Sequence, residues 1–218
     1  MEREQPIFHN SINIDEISFY GDPRCPWTFN TARWLENAAQ ELGLKVSYFP
    51  LSLYYLNKDS TSMSDEIRNR LVSLLPALRL LAHKASECAV DAKSIFFAQA
   101  DFIHGNKDGE NKQSSEIDVD KMFLNTQFAS DFQAFKADPT LGLNELQAFH
   151  KQGLSYVGSD VGSPVISFNN GKFAIHGPIL SEVPQDNNGE MLEAVAFLSS
   201  IQAFSEIKRA RLMPLKLN

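Results

Sequence analysis

The chain has 218 residues, 43% hydrophobic and 22% charged, with a formal net charge of -7. That length and balance suit one globular domain or one domain carrying an insertion, and the negative field repels nucleic acid and anionic membranes rather than attracting them. No apolar run approaches the length of a membrane-spanning helix. The opening MEREQPIFHNSINIDE is acidic and polar where an export signal needs a basic and then an apolar segment, so a cytoplasmic protein is expected. Two cysteines far apart, Cys25 and Cys88, read as thiols rather than a disulfide framework.

Ile12 to Tyr20 is rich in β-forming residues and stops at the turn cluster Gly21-Asp22-Pro23. Helical spacing follows from Pro26 through Ala32, Leu35, Ala38, Ala39 and Leu42, with Gly43 placed as a helix terminator. Val46 to Leu51 is a second strand, which completes a βαβ unit with parallel strands. Ser64, Asp65 and Glu66 then form an N-cap and acidic first turn, and the apolar face from Ile67 to Leu81 continues through a kink at Pro76. Further helices are expected over Lys93–His104, over Asp118–Ala137 with a break, and over Leu143–Tyr156. Gly105 to Glu116 carries no apolar residue and is expected to be a mobile loop. Val165–Phe168 and Phe173–His176 flank Asn169-Asn170-Gly171, a hairpin signal, and a last helix is expected from Gly189 past Ile207.

Cys25 falls between the first strand and the first helix, in Gly21 to Thr28 (GDPRCPWT). Proline at the first helical position starts a helix without wasting a backbone donor. The free N–H groups and helix dipole favour a thiolate, so Cys25 is expected to be more acidic than a free thiol. Thr28, one turn on, is placed to donate its hydroxyl to the sulfur, and Arg24 either adds positive potential or is simply solvated. The residues alone leave a second reading open, an inert buried cysteine at a strand end.

Cys25-Pro26-Trp27-Thr28 at this junction resembles the C-P-W-C site of DsbA-like thioredoxin-fold enzymes, and the order βαβ, helical block, ββα fits that fold. Ser163-Pro164, after Val161-Gly162, is similar to the segment that carries the family's cis-proline. Gly158 to Pro184, the ending Glu206 to Pro214, Asp22-Pro23, Arg33-Trp34 and Ile103-His104 resemble the mycothiol-dependent nitroreductase and dithiol-disulfide isomerase branch of actinobacteria; the likeness runs from Ile17 to Pro214.

The resemblance implies an α/β thioredoxin fold in one domain, its core at residues 12–60 and 160–218 and an all-helical insertion at 61–158. It implies Cys25, Thr28 and Pro164 as catalytic residues, with Pro26, Trp27, Ser163 and His104 toward the substrate, and Trp34 in the core. For His104 and for His176 beside Gly177-Pro178, a capping or partly buried role remains open, and the histidines show no metal-ligand spacing.

The departure is Thr28, where the family usually has a second cysteine. A C-x-x-C pair expels a bound thiol by closing an internal disulfide; Cys25 cannot do so with Thr28. Cys88, in HKASECAVDA, is read as a packing cysteine. The expected function is therefore a monothiol thiol-disulfide oxidoreductase or thiol transferase. It would hold no tightly bound cofactor and use a low-molecular-weight thiol, mycothiol by the resemblance, as co-substrate. A disulfide or electrophile would be its other partner, and a homodimer is left open. A more distant likeness to class kappa glutathione transferases and hydroxychromene-carboxylate isomerases implies the alternative of thiol transfer or isomerisation without redox turnover. A non-catalytic redox-sensing or binding protein is the third reading.

Overall fold

A computed structural model describes residues 12–105 and 117–217. It contains β1 (Ile17–Gly21), α1 (Pro26–Leu42), β2 (Val46–Pro50), α2 (Leu53–Asn57), α3 (Asp65–Ser73), α4 (Leu75–Glu87) and α5 (Ala89–His104). These are followed by α6 (Val119–Met122), α7 (Ala129–Ala137), α8 (Leu143–Val157), β3 (Val165–Phe168), β4 (Phe173–His176) and α9 (Asn188–Ser200). One sheet has the order β2-β1-β3-β4. β1 pairs parallel with β2 and antiparallel with β3, and β3 pairs antiparallel with β4. This is a thioredoxin fold, with the described chain between β2 and β3 entirely helical.

The strands carry apolar residues on both faces because both faces are covered. Ile17, Phe19, Ile166 and Phe168 face the larger core with Phe29, Leu35 and Leu192, whereas Tyr20, Leu51 and Val165 face a smaller cluster closed by Leu154 and Tyr156 of α8. Helix α1 buries Phe29, Ala32, Leu35 and Ala38, and Trp34 is fully buried. It stops where Gly43 takes φ 70°, its N–H reaching the Ala39 and Gln40 carbonyls while Leu44 N–H bonds Ala39 O at 2.8 Å. At the hairpin, Asn169, Asn170 and Gly171 all have positive φ.

Several boundaries differ from the sequence reading. β1 starts at Ile17 rather than Ile12, because its partners supply no ladder beyond Val46 and Phe168; the Asn169 side chain instead accepts from the N–H of Asp15 at 2.8 Å. Pro76 is not a kink within one helix: α3 ends at Ser73 and α4 begins at Leu75, with Pro76 in its first turn, where a missing N–H breaks nothing. Helix α5 begins at Ala89, earlier than Lys93. The last helix ends at Ser200 rather than past Ile207. Beyond it the chain returns as an irregular tail, tied where Lys216 N–H meets Ser181 O at 2.8 Å and Asn30 Nδ2 meets Lys216 O at 3.0 Å. Of the loop read over Gly105 to Glu116, all but Gly105 lies outside the described residues.

Candidate active site

The turn between β1 and α1 is built before the cysteine is reached. Gly21 ends β1 with no room for a side chain: a Cβ there would lie 2.5 Å from the Thr28 methyl and 2.8 Å from the Phe19 ring. Asp22 is buried, and its carboxylate holds the turn from inside, Oδ1 accepting from Arg24 N–H at 3.0 Å and Oδ2 from Leu53 N–H at 2.8 Å. The second bond ties the active-site turn to the start of α2, a helix the sequence reading did not contain. Burial pushes the Asp22 carboxyl upward despite both donors.

Cys25 is half-buried and occupies the N-cap of α1, with Pro26 in the first turn. Its N–H bonds Asp22 O at 3.0 Å and its carbonyl accepts from Phe29 N–H at 3.0 Å, so the helix starts at the cysteine. The Cys25 side chain accepts no capping hydrogen bond; the N–H groups of Trp27 and Thr28 and the Thr28 hydroxyl are the nearby groups that favour its thiolate. Behind Thr28 the hydrogen bonding continues: Thr28 Oγ1 and Ser163 Oγ are 2.8 Å apart, and Ser163 Oγ accepts from Asp22 N–H at 3.0 Å. Either hydroxyl can be the donor in the Thr28–Ser163 pair. Ser163 stands in the loop entering β3, and the Ser163–Pro164 peptide is cis, as is Gly177–Pro178. Thr31 Oγ1 touches the Pro178 carbonyl at 2.7 Å, which fixes that segment to α1.

The thiol is not more acidic than a free cysteine. Burial pushes Cys25 up, the Asp22 carboxylate adds to that push, and the three donors at the helix start offset only part of it. The expectation of a depressed thiol counted the helix terminus and omitted the desolvation of a half-covered sulfur.

Trp27 is half-buried at the rim, and the Arg211 guanidinium from the returning tail lies over its ring at 4.2 Å. His104 does not line the cleft at Cys25. It is buried, stacks on Phe29 at 5.4 Å, and its Nε2 lies 3.0 Å from Pro23 O, which braces the turn from behind. Burial pulls its pKa down to about 4, so the ring is neutral and Nε2–H is the donor. Burial also pulls the His176 pKa down, with the Ser163 backbone opposing the shift. Cys88 is exposed at the junction of α4 and α5, so packing does not account for it. It caps the opposite end of α5 from His104. Sixteen helical residues span about 24 Å, far beyond the roughly 7 Å that a disulfide tolerates between Cα atoms.

A cleft of about 410 Å³ opens beside the thiol, lined by Arg24, Cys25 and Pro26 on one side and by residues of α2, the following loop and α3 on the other, Arg70 among them. The sequence reading did not select Asp22 or Arg70. Asp22 lay in a stretch read only as a turn, and Arg70 carries no local signal because the fold alone brings α3 to the cysteine.

The Rv2466c-like family model, described as mycothiol-dependent nitroreductase Rv2466c, matches residues 24–209. The chain belongs to this family. The match takes in the turn at Cys25, the segment at Ser163-Pro164 and the tail through Arg209, and it places the chain in an oxidoreductase family of the DsbA-like thioredoxin fold. Among solved structures, a "probable DsbA oxidoreductase" from Streptomyces coelicolor is similar over 90% of this chain and 94% of its own, at 13% identity and a TM-score of 0.56. A "putative protein disulfide isomerase" from Nitrosomonas europaea is similar over 86% of this chain and 100% of its own, at 15% identity and a TM-score of 0.47. Among the described residues no cluster of His, Cys, Asp or Glu could hold a metal ion, and no helix is long and apolar enough to cross a membrane.

Proposed function

We propose that the protein is a monothiol thiol-disulfide oxidoreductase that uses Cys25 as nucleophile and a low-molecular-weight thiol, mycothiol by family, as co-substrate. The observation that carries this reading is the Thr28 hydroxyl, one turn from Cys25 and tied through Ser163 to the Asp22 N–H, where a dithiol relative has its second thiol. It supplies a hydrogen-bond donor to the developing thiolate and no second sulfur.

Cys25 attacks a disulfide RS–SR′, forming a Cys25–SR bond and releasing R′S⁻. The small thiol, as its thiolate, then attacks the R sulfur. That step returns Cys25 and yields a mixed disulfide of R with the small thiol, so one disulfide enters and one leaves without another oxidant or reductant. The Thr28 hydroxyl is placed to stabilise the thiolate as it forms, and the backbone beside Pro164 aligns the incoming disulfide. Pro26, Trp27 and Ser163 border the substrate. His104 is a positioning residue acting through Pro23. The domain is one unit with its core at residues 12–60 and 160–218, and it works in the reducing cytoplasm with no tightly bound cofactor.

The test is steady-state turnover of a reporter disulfide with mycothiol as the second substrate. Turnover that depends on both and disappears in Cys25→Ser supports the reading. Addition of the thiol to an electrophile without disulfide exchange points to a kappa-type transferase or isomerase instead. Modification of Cys25 with no turnover of either kind points to a redox-sensing or binding protein.

A further inference from the structure

Beyond α9 the tail takes a course that packing alone does not explain. A turn closes where Phe204 N–H meets Ile201 O at 2.8 Å. The far end is tied at Lys216, whose N–H meets Ser181 O at 2.8 Å, whose carbonyl accepts from Asn30 Nδ2 at 3.0 Å and whose Nζ lies 2.7 Å from the Glu182 carboxylate. Between these ties Ile207, Leu212 and Met213 are exposed, and among the described residues Ser205 to Pro214 makes no hydrogen bond. Two side chains nevertheless fix where this segment runs. Glu206 lies close enough to His176 for its charge to favour the imidazolium, and His176 borders the loop before the cis peptide, its Nε2 3.5 Å from where a Cβ on Gly162 would stand. Arg211 places its guanidinium 4.2 Å from the centre of the Trp27 ring, two residues past Cys25. The segment therefore passes from the Ser163–Pro164 side of the thiol to its Trp27 side. No tail residue lines the cleft on the other flank of Cys25, whose volume of about 410 Å³ is that of a small-molecule site.

We infer that residues 205–214 form a strap, pinned on Trp27 by Arg211, that denies the cis-proline side of the site to an extended polypeptide and leaves Cys25 open to small disulfides through the cleft. This deepens the proposed function and rests on Cys25 being the nucleophile. It names the substrate class as low-molecular-weight disulfides rather than disulfides within proteins. An extended chain needs room on both sides of the sulfur under attack, whereas a small disulfide needs the cleft alone. Arg211 is then a specificity-determining residue that works by exclusion rather than attraction.

The test uses a Cys88→Ser background, so that only Cys25 reports, and two mixed disulfides that share thionitrobenzoate as leaving group. One carries 2-mercaptoethanol; the other carries a cysteine at the centre of an uncharged peptide of about ten residues, long enough when extended to pass both flanks of the thiol. With each, Cys25–S⁻ attacks the alkyl sulfur, a Cys25–S–S–alkyl bond forms and thionitrobenzoate leaves as the thiolate, which is read by its absorbance; intact mass identifies the half retained. The quantity compared is the ratio of the small-probe rate to the peptide-probe rate. In the Cys88→Ser protein it should be about tenfold or more. Arg211→Ala should shrink it by about threefold, the scale of one exposed cation–π contact. Replacing Glu206 to Met213 by a Gly-Ser segment of equal length, which keeps both end ties, should shrink it further. Equal rates for the two probes before any change to the strap overturn the inference. A ratio left unchanged by either variant also overturns it, including the case in which both rates change together, because that reports the thiol rather than access to it. If neither probe reacts with Cys25, the nucleophile assignment itself fails.

Discussion

Cys25 and Cys88 occupy the same local position, the residue before the first turn of a helix, and the surroundings make them different groups. At Cys88 the preceding helix ends and the next begins on an exposed corner. At Cys25 the same helix start is enclosed. Asp22 holds the turn, the hydrogen-bonded hydroxyls of Thr28 and Ser163 stand one turn along, the cis Ser163–Pro164 segment lies alongside, and a cleft lined by Arg24 and Arg70 opens in front. A helix N-terminus is therefore only the beginning of a thiol site. What distinguishes this one is contributed by residues about 140 positions away in sequence, as in the Asp22–Ser163 bond spanning 141 residues.

The sharpest way to break the comparison is to remove each thiol in turn. Cys25→Ser should lower turnover of a disulfide substrate by about a thousandfold or more, since the nucleophile is lost. Cys88→Ser should leave it within about twofold. Comparable losses from both would mean that the exposed cysteine takes part.

Next in size is the hydroxyl chain. Ser163→Ala removes the acceptor for Asp22 N–H and the partner of Thr28 together, leaving buried polar groups unpaired, and should cost about 1–3 kcal/mol in chemical unfolding. Cys88 lacks any such support, so Cys88→Ala should change stability by less than about 0.5 kcal/mol, as expected for an exposed site. A neutral Ser163→Ala would show that the chain carries no energetic weight.

How much of this was legible in the sequence follows the range of the interactions. The start of α1 at Cys25-Pro26, its stop at Gly43 and the hairpin at Asn169 to Gly171 each depend on near neighbours, and the sequence located all three. Cys25 and Thr28 were picked out from the strand-to-helix junction itself and Ser163 and Pro164 through resemblance, and the fold brings them into one group. The short helix α2 was not found because its first free N–H is satisfied by Asp22, 31 residues earlier. The end of α9 was missed because Asn30 and Ser181 tie the tail extended. The basic run Lys208-Arg209-Ala210-Arg211 therefore lies in that tail, several residues past the helix, and Arg211 lies over Trp27. The acidity of Cys25 was misjudged because desolvation is set by the whole surroundings, not by the helix start.

The pH dependence sharpens that last point. A thiol pushed up by burial is protonated near neutrality, so alkylation of Cys25 should rise about tenfold per pH unit between pH 7 and 8.5. A rate already level at pH 7 would contradict the upward shift. Stability should also decline toward low pH, through the buried histidines. His104 and His150 are held at about 4 in the fold against 6.5 when unfolded. The unfolded chain therefore binds protons first, and stability present above pH 6.5 should fall as the pH drops toward 4. The effect should be smaller in a His104→Gln variant, followed by thermal unfolding at pH 7 and pH 5. An unchanged pH response in that variant would remove His104 from the account.

The central claim, that Cys25 works alone with a hydroxyl where a second thiol would stand, is tested most directly by the intact mass of the protein after treatment with excess small-thiol disulfide. The wild type should gain the mass of one small thiol on Cys25, unchanged in its location by Cys88→Ser. Thr28→Cys should instead lose two hydrogens and carry no adduct, because the new thiol expels it. A wild-type protein that loses two hydrogens through a Cys25–Cys88 disulfide would contradict the account.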